Sequence, residues 1–294
     1  MNTTPENWTG ERLETFILSE NTNEHLHRYA MALELAAGKN VLDIACGEGY
    51  GSHLMADTAG AVTGVDIDES TVKSASEKYR HDKLKFLVGS AAKIPCADHS
   101  FDLVVSFETI EHHDQHEEMM SEIKRVLKPD GILLISSPDK KYYSDEPGYK
   151  NPYHVKELYK HEFEALLKKH FPSTHFYAQK SITGSVIFSL NDTTGAEDMK
   201  QYSGDYSAIT NTGMQAVYGV ALASAKSLPV LGSSLFNGQE VLTRQIKEMK
   251  DYAVYIAALE AAKNATEDVR RSREYLLGAA IQRRLSAIKK FFHV

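Results

Sequence analysis

A chain of 294 residues, 42% hydrophobic and 25% charged, has the make-up of a soluble globular protein and can bury a sizeable core. Its net charge of −7 argues against non-specific attraction of the whole to nucleic acid or an anionic membrane, so no nucleic-acid partner is expected. Two cysteines, Cys46 and Cys96, make no disulfide framework; with a polar start (Met1-Asn2-Thr3-Thr4) and no apolar run of membrane-spanning length, they suit a reducing, cytoplasmic compartment.

Residues 1 to about 23 are polar and irregular, with Thr9-Gly10-Glu11-Arg12 standing out. A helix is predicted from Asn23 to Ala37, with Leu26, Tyr29, Met31, Leu33 and Leu35 as apolar surface and Gly38 as its stop. Val41 to Ala45 then reads as a short buried parallel strand. Gly47, Gly49 and Gly51 follow at alternate positions, ahead of the helix-compatible Ser52 to Ala56. Glycines there let the chain turn sharply and approach a ligand closely, and the open N–H groups of the next helix add donors. A second strand, Ala61 to Val65, runs into Asp66-Ile67-Asp68. An acidic residue on that strand tip is placed to accept both hydroxyls of a ribose. Glu69 to Tyr79 reads as a helix, Leu84 to Val88 as a third strand ending at Gly89-Ser90-Ala91, and Phe101 to Ser106 as a fourth. Gln115 to Leu127 is helical, with Met119, Met120, Ile123, Val126 and Leu127 inward, and a fifth strand runs to Ser136. This alternation argues for an α/β fold with a doubly wound parallel sheet.

Phe107-Glu108-Thr109-Ile110-Glu111-His112-His113 follows the fourth strand directly. Glu108, Glu111 and His112 stand at i, i+3 and i+4, one face of a helical turn. Two carboxylates and an imidazole in that place read as a base cluster, as three metal ligands, or as packing and substrate contact. His81, His99, His161, His170 and His175 have no such company and read as surface residues. Residues 139 to 152, with Tyr142, Tyr143 and Tyr149, form a turn-rich aromatic loop suited to covering a substrate, or a plain surface loop. Val155 to Lys169 is predicted helical, and Thr174 to Lys180 and Met214 to Ala223 are predicted strands. The polar stretch from Asn191 to Gly213 between them is a candidate lid. After the linker around Pro229 and Gly232, Gln239 to about Leu277 reads as one long helix, whose Leu242, Ile246, Met249, Ala253 and Ile256 make a short heptad seam. Arg283-Arg284-Leu285 and Lys289-Lys290-Phe291-Phe292 form a basic amphipathic end, read as a solvated helix end or as a contact with a membrane surface or partner, a second copy included.

Over residues 41 to about 138 these motifs closely resemble the class I S-adenosylmethionine-dependent methyltransferases. Gly10-Glu11-Arg12 and His25-Leu26-His27-Arg28-Tyr29 resemble an N-terminal extension found in methyltransferases encoded with O-antigen and capsule assembly enzymes, some of them fused to glycosyltransferases. The resemblance implies a Rossmann-like, mostly parallel seven-stranded sheet. It implies a cap at 1–38, a methyltransferase domain at 39–228 with an insertion at 184–213, and a helical extension at 229–294. S-adenosylmethionine would be the cofactor, with Arg28 facing its carboxylate, Asp43 beneath its amino-acid portion, and Gly47 and Gly49 giving backbone access. Asp66 would take the ribose and Ile67 would lie against the adenine, with Ser90 and Ala91 at the adenine edge and Ser106 completing the binding residues. Many relatives carry Asp where Ser90 stands; serine still accepts a hydrogen bond, without charge. Glu-x-x-Glu-His is similar to the metal site of small-RNA 2′-O-methyltransferases and of some ubiquinone-pathway O-methyltransferases. That similarity implies a divalent ion on Glu108, Glu111, His112 and His154, or, without metal, His112 or His154 acting as base with Glu111. The function implied is O-methylation of a sugar or glycan intermediate of surface-polysaccharide assembly. The alternatives are another small oxygen acceptor, or an inactive cofactor-binding scaffold working through the C-terminal helix.

Overall fold

The computed structural model describes residues 15, 20–182, 201–212 and 215–291. Gly10-Glu11-Arg12, residues 183–200 and Met214, to which several expectations attach, lie outside the described residues.

In chain order the first elements are α1 (Glu20–Ala36), β1 (Asn40–Ile44), α2 (Tyr50–Ala56), β2 (Ala61–Asp66) and α3 (Glu69–Lys78). Next come β3 (Leu84–Val88), β4 (Phe101–Ser106), α4 (His116–Val126), β5 (Leu127–Pro138), α5 (Lys160–His170) and β6 (Ser173–Gln179). A small hairpin of β7 (Tyr202–Gly204) and β8 (Ile209–Asn211) precedes β9 (Tyr218–Ser224). The C-terminal unit holds α6 (Gln239–Arg271) and α7 (Arg273–Phe291).

The main sheet has seven strands in the order β3-β2-β1-β4-β5-β9-β6. The first five are parallel, and β9 runs antiparallel to both β5 and β6. Parallel strands are covered on both faces, which is why β1, β4 and β5 read as apolar runs. Within them the period of two still sorts the layers: Val41, Leu103 and Leu134 pack toward α1 and α2, whereas Leu42, Val104 and Leu133 pack toward α4 and α5. Tyr29, Ala32 and Ala36 of α1 join the first layer, so this helix is part of the sheet's cover. Asp68 caps α3 by accepting from Thr71 N at 2.7 Å. The register sets Ile44 beside Ser106 and Pro138 beside Tyr218, gathering the ends of β1, β4 and β5 and the start of β9 at one edge.

Three predicted elements differ. Helix α5 begins at Lys160, not at Val155: its N-cap Tyr159 is extended (φ −70, ψ 155), and the segment before it is held across the sheet edge by Val155 N and Lys156 N donating to Glu111 O at 2.8 and 3.0 Å. The long C-terminal helix breaks at Ser272, which is extended (ψ 149), and restarts as α7. The last strand starts at Tyr218. The first compact unit runs through Asn237, with residues 229–237 tied to it by Tyr177 OH donating to Leu231 O (3.1 Å) and by His27 Nε2 against Ser234 Oγ (2.8 Å).

Candidate active site

The turn after β1 is built from left-handed backbone at Ala45 (φ 56), Gly47 (φ 53) and Gly49 (φ 89). The glycines serve different ends. A Cβ on Gly47 would meet nothing within 4 Å, so this backbone faces open space, while one on Gly51 would fall 1.9 Å from the Tyr29 ring. Asp66, 4% exposed, holds the turn: its Oδ2 accepts from Gly47 N at 2.9 Å and its Oδ1 from Asp68 N at 3.0 Å. Glu48, between the glycines, accepts from the backbone and hydroxyl of Thr15 at 3.0 Å each and pairs with Lys78. Asp43 lies beneath, 1% exposed, receiving Ser52 Oγ at 2.6 Å and Tyr29 OH at 3.3 Å. Burial pushes its pKa up to about 7, against the pull of those two donors.

Along the same edge, Ile67 is 72% exposed, Ser90 Oγ accepts from Ala92 N at 3.2 Å, and Ala91 packs on the core. Ser106 Oγ is fully buried and has no hydrogen-bond partner among the described residues. Arg28 is buried in a polar knot. Its Nε donates to Gln179 Oε1 at 2.6 Å, its Nη1 lies 3.3 Å from Glu108 Oε1, and its guanidinium sits 4.6 Å over the Tyr218 ring. Its Nη2 has no hydrogen-bond partner among the described residues.

Glu111, His112 and His154 offer one ligand atom each within 4.8 Å of one another. Glu108 does not join them. A common face required a helical turn, but Glu108 is left-handed (φ 48) and only Ile110–His112 coil, as a 3-10 turn. Its carboxylate turns instead to Ser136 Oγ (2.6 Å) and Arg28. Of the predicted metal set, then, the structure brings three together and sends the fourth to Arg28. His112 Nδ1 lies 3.1 Å from Tyr153 O, and the His112 and His154 rings meet edge to face at 5.1 Å. His154 also stacks on Tyr143, with centroids 5.1 Å apart.

Residues 42–135 match the methyltransferase domain family. The sheet order, with its antiparallel last pair, and the Gly-rich turn facing Asp66 are the features of that domain. The fold is the Rossmann-like fold of methyltransferases. The chain is 39% identical over 165 residues to a probable S-adenosylmethionine-dependent methyltransferase of Mycolicibacterium smegmatis, a match covering 54% of this chain and 63% of that one. A phthiotriol/phenolphthiotriol dimycocerosates methyltransferase of Mycobacterium tuberculosis is 33% identical over 109 residues, or 36% of this chain and 40% of that one. The chain spans less than two thirds of the length of the curated relatives it matches. Among solved structures, the YcgJ protein of Bacillus subtilis shares the fold, with a TM-score of 0.50 and 16% identity over 69% of this chain and 100% of that one.

The cofactor of methyltransferase domains of this class is S-adenosylmethionine, and the residues at this edge fit it. The buried Ser106 hydroxyl, without a partner among the described residues, is the kind of group that a bound polar ligand satisfies. The open side of Gly47 leaves room for close approach, and the carboxylate of Asp66 stands against the same turn. Exposed Ile67 offers apolar surface beside it.

One residue that the sequence reading passed over belongs to this site. Glu157 Oε1 accepts from His154 Nδ1 at 2.6 Å and from Ser144 Oγ at 2.8 Å. The His-Val-Lys-Glu spacing was its only trace in the sequence.

Proposed function

We propose that this chain transfers a methyl group from S-adenosylmethionine to an oxygen of a sugar or glycan intermediate. The observation that carries the oxygen acceptor is the His154–Glu157 dyad at the sheet edge, 2.6 Å long and almost dry. A carboxylate accepting from Nδ1 selects the tautomer whose Nε2 keeps its lone pair, which is what a general base for a hydroxyl needs. When bound, the cofactor supplies an electrophilic methyl group on sulfur. This chain's residues then have to align the acceptor, exclude water and take the hydroxyl proton. His154 Nε2 is the proposed base, with Glu111 and His112 completing the polar wall. Arg28, whose Nη2 has no partner among the described residues, is proposed to meet the cofactor's carboxylate, with Asp43, Gly47, Gly49, Asp66, Ile67, Ser90, Ala91 and Ser106 lining the remainder. The sugar reading is supported by the tyrosines around His154: Tyr143 stacks on it, and Tyr149 and Tyr218 flank Tyr143 at 5.8 and 6.1 Å. Aromatic faces of this kind pack well on sugar rings.

A second reading follows from the convergence of Glu111, His112 and His154. The same three groups suit a divalent ion such as Mn²⁺ or Co²⁺, which would favour the acceptor's alkoxide, with Glu157 then orienting a metal ligand. The test is transfer of isotope-labelled methyl to a panel of nucleotide sugars and lipid-linked glycans, set against lipid polyols and sterols. Label recovered as a methyl ether of a sugar supports the proposal. Label found only on the lipid acceptors, or on carbon, refutes the sugar reading.

A further inference from the structure

The C-terminal unit carries two helices of different chemistry. Helix α6 is electrically balanced: Arg244, Lys247 and Lys250 alternate with Glu240, Glu248 and Asp251, and its second half mixes signs likewise. Helix α7 is not. It carries Arg273, Arg283, Arg284, Lys289 and Lys290 against Glu274 alone, at one end of a chain whose net charge is −7.

At 100° per residue, Leu277, Ile281 and Leu285 fall on one stripe of α7, with Arg284 along its border. The stripe is unsheltered where its side chains are described: Leu277 is 66% exposed, Ile281 53% and Leu285 54%. No helix among the described residues is long and apolar enough to cross a membrane. An apolar stripe with a long cationic side chain on its border, on a helix with an excess of cations, suits a helix lying flat in a lipid interface, where the stem buries and the charged head reaches phosphates.

We propose that α7 docks the chain on an anionic lipid surface. Charge decides the occupant. A second copy of this chain would set the same excess of cations against itself, whereas lipid phosphates neutralise it. The inference is independent of the acceptor reading, because lipid binding is measured without methyl transfer.

The test is sedimentation of the full chain with vesicles of phosphatidylcholine mixed with phosphatidylglycerol, and with phosphatidylcholine alone. The chain is expected to sediment with the anionic vesicles, to be released by high salt, and to bind the neutral ones weakly. Arg284→Gln should weaken anionic binding roughly fivefold. Leu277→Asp with Ile281→Asp should abolish it, while calorimetric binding of S-adenosylmethionine by each variant shows the domain still folded. Equal binding to both vesicles, or binding indifferent to these substitutions, overturns the proposal. So does a dimer in light scattering that the Leu277→Asp, Ile281→Asp chain loses while the parent ignores vesicles, since the stripe would then belong to a second copy.

Discussion

Glu157 and His154, three residues apart, are joined through Oε1 and Nδ1 at 2.6 Å, and their side chains are only 9% and 6% exposed. A carboxylate held this dry against an imidazole fixes both its ring orientation and its tautomer. Glu157→Gln keeps the shape and removes the charge. The expected outcome is a fall in kcat of about 10- to 100-fold, with the Kd for S-adenosylmethionine unchanged by calorimetry. A variant that loses cofactor affinity in the same proportion would show that Glu157 only supports packing.

If His154 is the base, turnover survives exhaustive chelation and His154→Ala lowers it by about 10²- to 10⁴-fold. Turnover that collapses in chelator and returns with Mn²⁺ or Co²⁺ would instead assign Glu111, His112 and His154 to an ion. Metal analysis of the enzyme before and after dialysis reads the same difference directly.

Asp66→Ala removes the acceptor proposed for the ribose and also frees Gly47 N and Asp68 N. Cofactor binding should weaken by about 1.5 to 3 kcal/mol, the range for hydrogen bonds to a charged group. Unchanged calorimetric affinity would remove Asp66 from the cofactor site.

Two glycines of one turn should fail differently. In Gly51→Ala the new methyl meets the Tyr29 ring, itself pinned edge to face by Tyr50 and Phe107, so the cofactor-free chain should lose about 1 to 3 kcal/mol of stability. Gly47→Ala meets no atom but is left-handed, a strain of about 1 to 2 kcal/mol. Its larger effect should be on cofactor affinity, because the methyl occupies the open side. Thermal unfolding with and without cofactor separates the two.

Asp43 gives the cofactor-free protein a pH signature. Burial raises its pKa from 3.8 to about 7, so the folded state holds this proton more tightly than the unfolded chain does. The sign follows from linkage: this contribution is fully present below pH 3.8 and is lost as pH rises toward 7. Between pH 5 and 8 the melting temperature of the parent should therefore fall more steeply than that of Asp43→Asn, which mimics the protonated acid throughout. Parallel slopes would contradict a raised pKa at Asp43.

The sheet and its Gly-rich edge were legible in the sequence because their causes are local. Apolar runs bounded by turn residues mark β1, β4 and β5, alternation with helices orders them, and the positions of Gly47, Gly49 and Asp66 follow from strand ends that the pattern itself defines. The C-terminal break at Ser272 was hidden, since the sequence around it carries neither proline nor glycine. The polar wall was legible only as a list of residue types. Glu108 leaves the proposed ligand set because a left-handed residue ended the helical turn before it formed and because Ser136, from the next strand, claims its carboxylate. Residues 155–159 run extended up to Tyr159 and are held by the carbonyl of Glu111, a distant partner that accepts from Val155 N and Lys156 N. Arg28 meets Gln179 and Tyr218 only because β6 and β9 return to the edge where α1 crosses. Periodicity and spacing determined which elements this chain forms and where a ligand approaches. Which side chains face one another at that edge was decided by hydrogen bonds between distant segments, whose partners are neighbours only after the sheet has closed.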